Sequence, residues 1–108
     1  MIVINVYYQI PDGKREEFMT AVRDAGILDK VYAEGGCRKY DFYPSWKDEN
    51  ELLLVERYDN AEALEFHMAQ DHFKAIQEIE KKYISGIDVQ RFEFNNLSSS
   101  LPLILLSL

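Results

Sequence analysis

The stretch Leu53–Ile76, LLVERYDNAEALEFHMAQDHFKAI, constrains the fold of this chain more than any other. Leu52, Leu54, Glu56 and Tyr58 alternate with Leu53, Val55 and Arg57, the two-residue period of a strand. The pattern changes at Asp59-Asn60, either of which can cap a helix, and Glu62 stands three residues after Asp59 as in a capping box. Leu64, His67 and Met68 then share one helix face at three- and four-residue spacing. The imidazole of His67 is thereby carried on the apolar face, aimed at the core. Beside a strand bearing Glu56 and Tyr58, it is either a satisfied core polar group or a reactive one.

The rest of the chain extends this pattern. Ile2, Ile4, Val6, Tyr8 and Ile10 alternate with Val3, Asn5, Tyr7 and Gln9, which reads as a first strand. It lacks the basic stretch and cleavage site of a secretory leader. Pro11-Asp12-Gly13 is turn chemistry. A helix from about Lys14 aligns Phe18, Val22, Ala25, Leu28, Val31 and Tyr32, with Gly26 interrupting it and Gly35-Gly36 ending it. Cys37–Tyr43 is the second strand, residues 44–50 a loop, and Glu51–Tyr58 the third strand. Helices follow over Ala61–Met68 and, after a break near Gln70-Asp71, along Phe73, Ile76, Ile79 and Tyr83. Ser85-Gly86 stops the last helix, and Ile87–Phe94 is the final strand. The order β-α-β-β-α-β is the split unit of the ferredoxin-like α+β fold.

One domain of about residues 1–95 is expected, followed by an apolar tail over 96–108. The 108 residues are too few for two cores. The tail segment LPLILLSL is far short of the ~20 residues a membrane helix needs. It reads either as a lightly docked end or as a segment that packs on a partner subunit. The net charge of −7 and the absence of a basic stripe argue against nucleic acid and anionic membrane as partners. A single cysteine, Cys37, excludes an internal disulfide and fits a reducing cytoplasm. It reads as a small buried hydrophobe. Strands apolar on both faces, with helices to cover only one, predict a homodimer that buries the second face.

In this order and spacing the chain resembles the antibiotic biosynthesis monooxygenase family, whose ferredoxin-like protomers pair as a dimeric α+β barrel. The matching residues are Pro11-Asp12-Gly13-Lys14, Glu34-Gly35-Gly36-Cys37-Arg38-Lys39-Tyr40, Glu56-Arg57-Tyr58, His67, and His72-Phe73-Lys74. The resemblance implies a cofactor-free oxidation by O2 of a small quinol or polycyclic phenol, with no metal, flavin or nicotinamide. In such chemistry a base removes a substrate proton, and the electron-rich anion passes an electron to O2. The protein supplies the base, donors for the anion and a dry aromatic pocket. The same resemblance leaves two alternatives open: an isomerase of a small phosphorylated signalling metabolite, and a non-catalytic dimeric binding module. The phosphate would call on Arg38, Lys39, Arg57 or Arg91. Heme-degrading relatives rely on a tryptophan where this chain has His67 and an axial histidine near Gln77, so heme is not expected.

His67 is the candidate base or anchoring donor, since imidazole titrates near neutrality. Its bland alternative is a helix-to-strand tie through Glu56 or Tyr58. Glu56, the second catalytic candidate, needs a partner such as His67, Arg57 or Arg91, and a structural ion pair is its default reading. Asn5, Tyr7, Tyr40, Phe42, Tyr58, Phe66, His72 and Phe73 are candidate substrate-binding residues, with plain core or half-exposed sheet positions as their alternatives. His72 reads first as a helix-start or surface residue. Because the histidines are five apart across a helix break, no same-face metal pair at four-residue spacing is offered, and no metal ligand is expected. Trp46, in a charged loop, reads as a lid or a dimer contact.

Overall fold

The computed structural model describes residues 1–94; the apolar tail and its expected docking lie outside the described residues. The elements are β1 (Ile2–Gln9), α1 (Arg15–Asp24), α2 (Ile27–Tyr32), β2 (Cys37–Pro44), β3 (Glu51–Tyr58), α3 (Ala61–Met68), α4 (Asp71–Tyr83) and β4 (Gly86–Glu93). They form one sheet in the order β2-β3-β1-β4, with every neighbouring pair antiparallel. This is the ferredoxin-like arrangement expected from the element order.

Register decides which residues share the helix-facing side. Ile2, Ile4, Val6 and Tyr8 of β1 stand opposite Tyr58, Glu56, Leu54 and Leu52 of β3. All eight are buried, so both alternations deliver their predicted faces to the same core. Phe18 of α1 fills the middle, fully buried, with ring centroids 5.2 Å from Tyr8, 6.1 Å from Phe42 and 5.9 Å from Tyr83. Such aromatic pairs add about 0.5–1.5 kcal/mol each beyond the area they bury. Asn5 and Tyr7 lie on the opposite sheet face, half-buried beside Val55 and Leu53. The helices come closest to β2 and β3, and Phe18 of α1 and Glu80 of α4 reach Tyr8 of β1. On β4 the helix side is therefore left open, and Ile87 and Val89 are 50% and 56% exposed.

Two turns depart from their expected chemistry. Gly26 sits at φ 70 and divides the first helical stretch into α1 and α2, a full break rather than a kink. The cap of α3 is Asn60, whose side chain accepts from the Ala63 N–H at 2.9 Å. Asp59 does not cap, because Arg38 donates two 2.7 Å hydrogen bonds to its carboxylate, and the Asp59–Glu62 capping box does not form. Gly36 is required by close approach: a Cβ there would stand 2.6 Å from the Cβ of Ala63. The start of β2 and the first turn of α3 are thus in backbone-to-side-chain contact. Arg15 ties the β2–β3 loop down by donating to the carbonyls of Ser45, Asp48 and Glu51. Trp46 in that loop is 97% exposed. No helix among the described residues is long and apolar enough to cross a membrane.

Candidate active site

The site is built where α3, the α2–β2 turn and β3 converge. Asn60 fixes the start of α3, and one face of that short helix buries Leu64 and His67. His67 is 2% exposed. Its Nδ1 lies 2.9 Å from Oε2 of Glu34, in the turn that Gly35 shapes at φ 86. An ionised carboxylate only accepts, so the contact calls for a proton on Nδ1, and in that tautomer the Nε2 lone pair faces the other way. In that direction Oε1 of Glu56 stands 3.8 Å from Nε2. Glu56 in turn accepts a very short hydrogen bond from the hydroxyl of Tyr58.

His72, at the start of α4, also reaches Glu34: its Nε2 makes a very short contact with the same Oε2. The side chains of Glu34, His67 and His72 are only 4%, 3% and 10% exposed. The remaining oxygen of Glu34, Oε1, is buried and has no hydrogen-bond partner among the described residues.

Next to His67 opens a cavity of about 360 Å³, lined mostly by apolar groups from β1, β3, α3, α4 and β4. Tyr40, Leu54, Phe73 and Ile76 form its walls, and Glu56, His67, Gln77, Glu80, Tyr8 and Arg91 present its polar groups. The His67 ring is 5.9 Å from Tyr40, 5.2 Å from Tyr58 and 5.4 Å from Phe73, centroid to centroid. Burial pushes the carboxyl of Glu56 up to about 7; the Tyr58 hydrogen bond opposes this, and the charges of Glu80 and Glu34 add to it. Glu80 is also raised by burial, and it accepts from the Tyr8 hydroxyl at 2.5 Å. Burial likewise holds the Tyr40 hydroxyl well above its usual range.

The expected site residues divide accordingly. His67, Glu56, Tyr40 and Phe73 line the cavity, and Tyr58 stands against both His67 and Glu56. Phe42 packs in the core against Phe18 and Tyr40 instead. Phe66 is 53% exposed, away from the buried face of α3. Asn5 and Tyr7 belong to the far side of the sheet, because their parity is opposite to that of Ile4, Val6 and Tyr8. Neither can line a cavity shared with His67. His72 is no surface residue; it is held by Glu34 behind His67 and outside the cavity wall. The helix break between the two histidines, which argued against their convergence, turns them onto one carboxylate. Glu56 has no arginine partner: Arg91 bonds Glu93, and Arg57 is exposed on the other face. Trp46 does not line the cavity, and Cys37 is buried with its thiol pushed up to about 11 by desolvation, which suits the inert reading.

Glu34, Tyr8 and Glu80 are not among the site residues expected from the sequence, although Glu34 opens the stretch Glu34–Tyr40 that matches the family. Glu80 left a signal: Phe73, Ile76, Gln77 and Glu80 follow helical spacing, so a carboxyl occupies the inward stripe of α4. Glu34 left no periodic signal, since it sits in a turn, and only its place in the family-matching stretch marks it.

Comparison with known proteins agrees with the fold. The family model described as antibiotic biosynthesis monooxygenase matches residues 1–79. YcnE of Bacillus subtilis, named a "putative monooxygenase", is 29% identical over 96 residues, covering 88% of this chain and 99% of YcnE. Rv0793 of Mycobacterium tuberculosis bears the same description and is 38% identical over 71 residues, 66% of each chain. A solved structure from Caulobacter crescentus CB15 superposes with a TM-score of 0.79 at 25% identity, covering 88% of this chain and 90% of that one. The fold and cavity define an α+β protein of the ferredoxin-like class. The chain belongs to the antibiotic biosynthesis monooxygenase family.

Proposed function

We propose that the protein is a cofactor-free monooxygenase that oxidises a small quinol or polycyclic phenol with O2. The observation that carries this reading is the 2.9 Å contact between Nδ1 of His67 and Oε2 of Glu34. With Nδ1–H held by Glu34 at 2.9 Å, the basic Nε2 is left at the wall of an aromatic cavity. The substrate ring would lie among Tyr40, Phe73 and Leu54, with its acidic O–H or activated C–H at Nε2. Proton transfer makes an imidazolium flanked by two carboxylates, Glu34 on one nitrogen and Glu56 3.8 Å from the other. Stabilisation of that ion pulls the proton from the substrate, an effect of about 10²- to 10⁴-fold for positioned acid–base groups. The resulting anion reduces O2 by one electron, and the radical pair combines to a peroxide that takes the proton back from His67. Loss of the substrate's second hydrogen breaks the O–O bond, so one oxygen atom stays in the product as a carbonyl and the other leaves as water. Arg91, at the edge of the cavity, is the cation available to hold the anion.

The isomerase reading draws less support. Of the four strand cations that a phosphate would need, only Arg91 lines the cavity, and Glu56 and Glu80 share it. The protein would work in the cytoplasm as a homodimer, with the outer sheet face of Val3, Tyr7, Leu53 and Val55 buried between two copies. Oxygen uptake over a panel of quinols and anthrone-like phenols, with chelated and flavin-free protein, tests the reaction. Stoichiometric uptake with at least one member is expected. Binding without uptake would favour the non-catalytic module, and turnover without oxygen the isomerase.

A further inference from the structure

The trio behind the cavity has a property that the oxidation does not use. Glu34 Oε2, His67 Nδ1 and His72 Nε2 all lie within 4.8 Å of one another, and the three side chains are nine-tenths buried or more. Two imidazoles and one carboxylate are the ligand set that borderline divalent cations take, as in three-ligand zinc sites. Hydrogen bonding leaves this cluster incomplete, because Glu34 Oε1 is buried and accepts from no group among the described residues. A buried carboxylate oxygen without a donor is costly, and a cation held by both oxygens of Glu34 would satisfy it. A ligating histidine usually turns its other ring nitrogen to a carboxylate; Nε2 of His67 faces Glu56 at 3.8 Å, on the matching side but beyond hydrogen-bond reach.

We propose that Glu34, His67 and His72 form a binding site for a divalent cation of the zinc class. Resting on the oxidative reading above, occupancy has a further consequence. Coordination at Nδ1 leaves the single proton of the neutral His67 ring on Nε2, so the base facing the cavity is lost. The cation is then an inhibitor of the reaction rather than its cofactor, and the same histidine serves both states through opposite nitrogens.

The test is a titration of chelator-treated, untagged full-length chain with Co2+, followed by visible absorption, with Zn2+ added afterwards as competitor. A ligand-field band saturating at one ion per chain and erased by Zn2+ is expected. His72→Ala and Glu34→Gln should each weaken Co2+ binding by about a hundredfold or more, at least the scale set by disturbing a metal site's outer shell. Melting curves establish that each variant is folded, and His72→Gln replaces any variant that is not. No band up to millimolar Co2+, or equal affinity in wild type and folded variants, would overturn the site and leave the His67 base untouched. Binding with undiminished oxygen uptake would instead uphold the site and remove Nε2 of His67 as the base.

Discussion

His67 and Glu34 are 33 positions apart, yet Nδ1 of one lies 2.9 Å from Oε2 of the other. That single hydrogen bond fixes which imidazole nitrogen is basic, and it depends on two backbone features remote from any chemistry. Gly35 turns the chain at positive φ just after Glu34, and Gly36 lets α3 approach the start of β2.

Gly36→Ala should therefore disturb the site through packing. The new Cβ would meet Ala63 Cβ at 2.6 Å, so α3 must shift. Overpacking of this kind costs about 1–3 kcal/mol. Urea unfolding should register that loss, and the double change Gly36→Ala with Ala63→Gly should recover part of it. Wild-type stability in the single variant would mean that α3 is not seated on β2.

Glu56 should make the fold less stable as pH rises. Its carboxyl moves from 4.5 to about 7 on burial. Between those values the folded state keeps a proton that the unfolded state has released, so stability declines with rising pH across that window. Below it both states are protonated, and above it the full penalty, about 3 kcal/mol for a shift of this size, is in place. In chelated protein, unfolding free energies of wild type and Glu56→Gln from pH 4 to 8 should diverge by that amount. Parallel curves would mean that Glu56 is not desolvated.

Self-association should follow from the outer sheet face. Sedimentation equilibrium at micromolar concentration should return about twice the 12.7 kDa chain mass. Val55→Glu, at a half-buried outer position, should split the dimer by burying a charge. A monomeric wild type at that concentration would contradict the paired-sheet assembly.

The fold was legible because its evidence is periodic. Alternation in Ile2–Ile10 and Leu52–Tyr58, a change of period at Asn60 and glycine punctuation give the element order without any contact map. Parity also separates the two sheet faces, but it does not say which one the helices cover; Asn5 and Tyr7 were for that reason grouped with residues that lie on the other side. The site was legible only where a polar residue interrupts an apolar stripe, as with His67 and Glu56. Glu34 and the part played by His72 depend on a turn and a helix break, where spacing along the chain carries no information about distance in space. The Asp59 capping box failed for a similar reason: Arg38, 21 positions away, competes for the carboxylate.

The measurement that tests the central claim most directly is turnover of His67→Gln per folded molecule, alongside its melting curve. Glutamine keeps a donor and an acceptor but takes no proton near neutral pH. If Nε2 of His67 is the base, kcat for an active quinol or phenol should fall by about a hundredfold or more while the fold survives. If His67 only ties α3 to Glu34, the variant should oxidise substrate at the wild-type rate. His67→Ala should then show its damage as about 1–3 kcal/mol of lost stability, from the stranded carboxylate. A folded, fully active His67→Gln protein would contradict the general-base assignment.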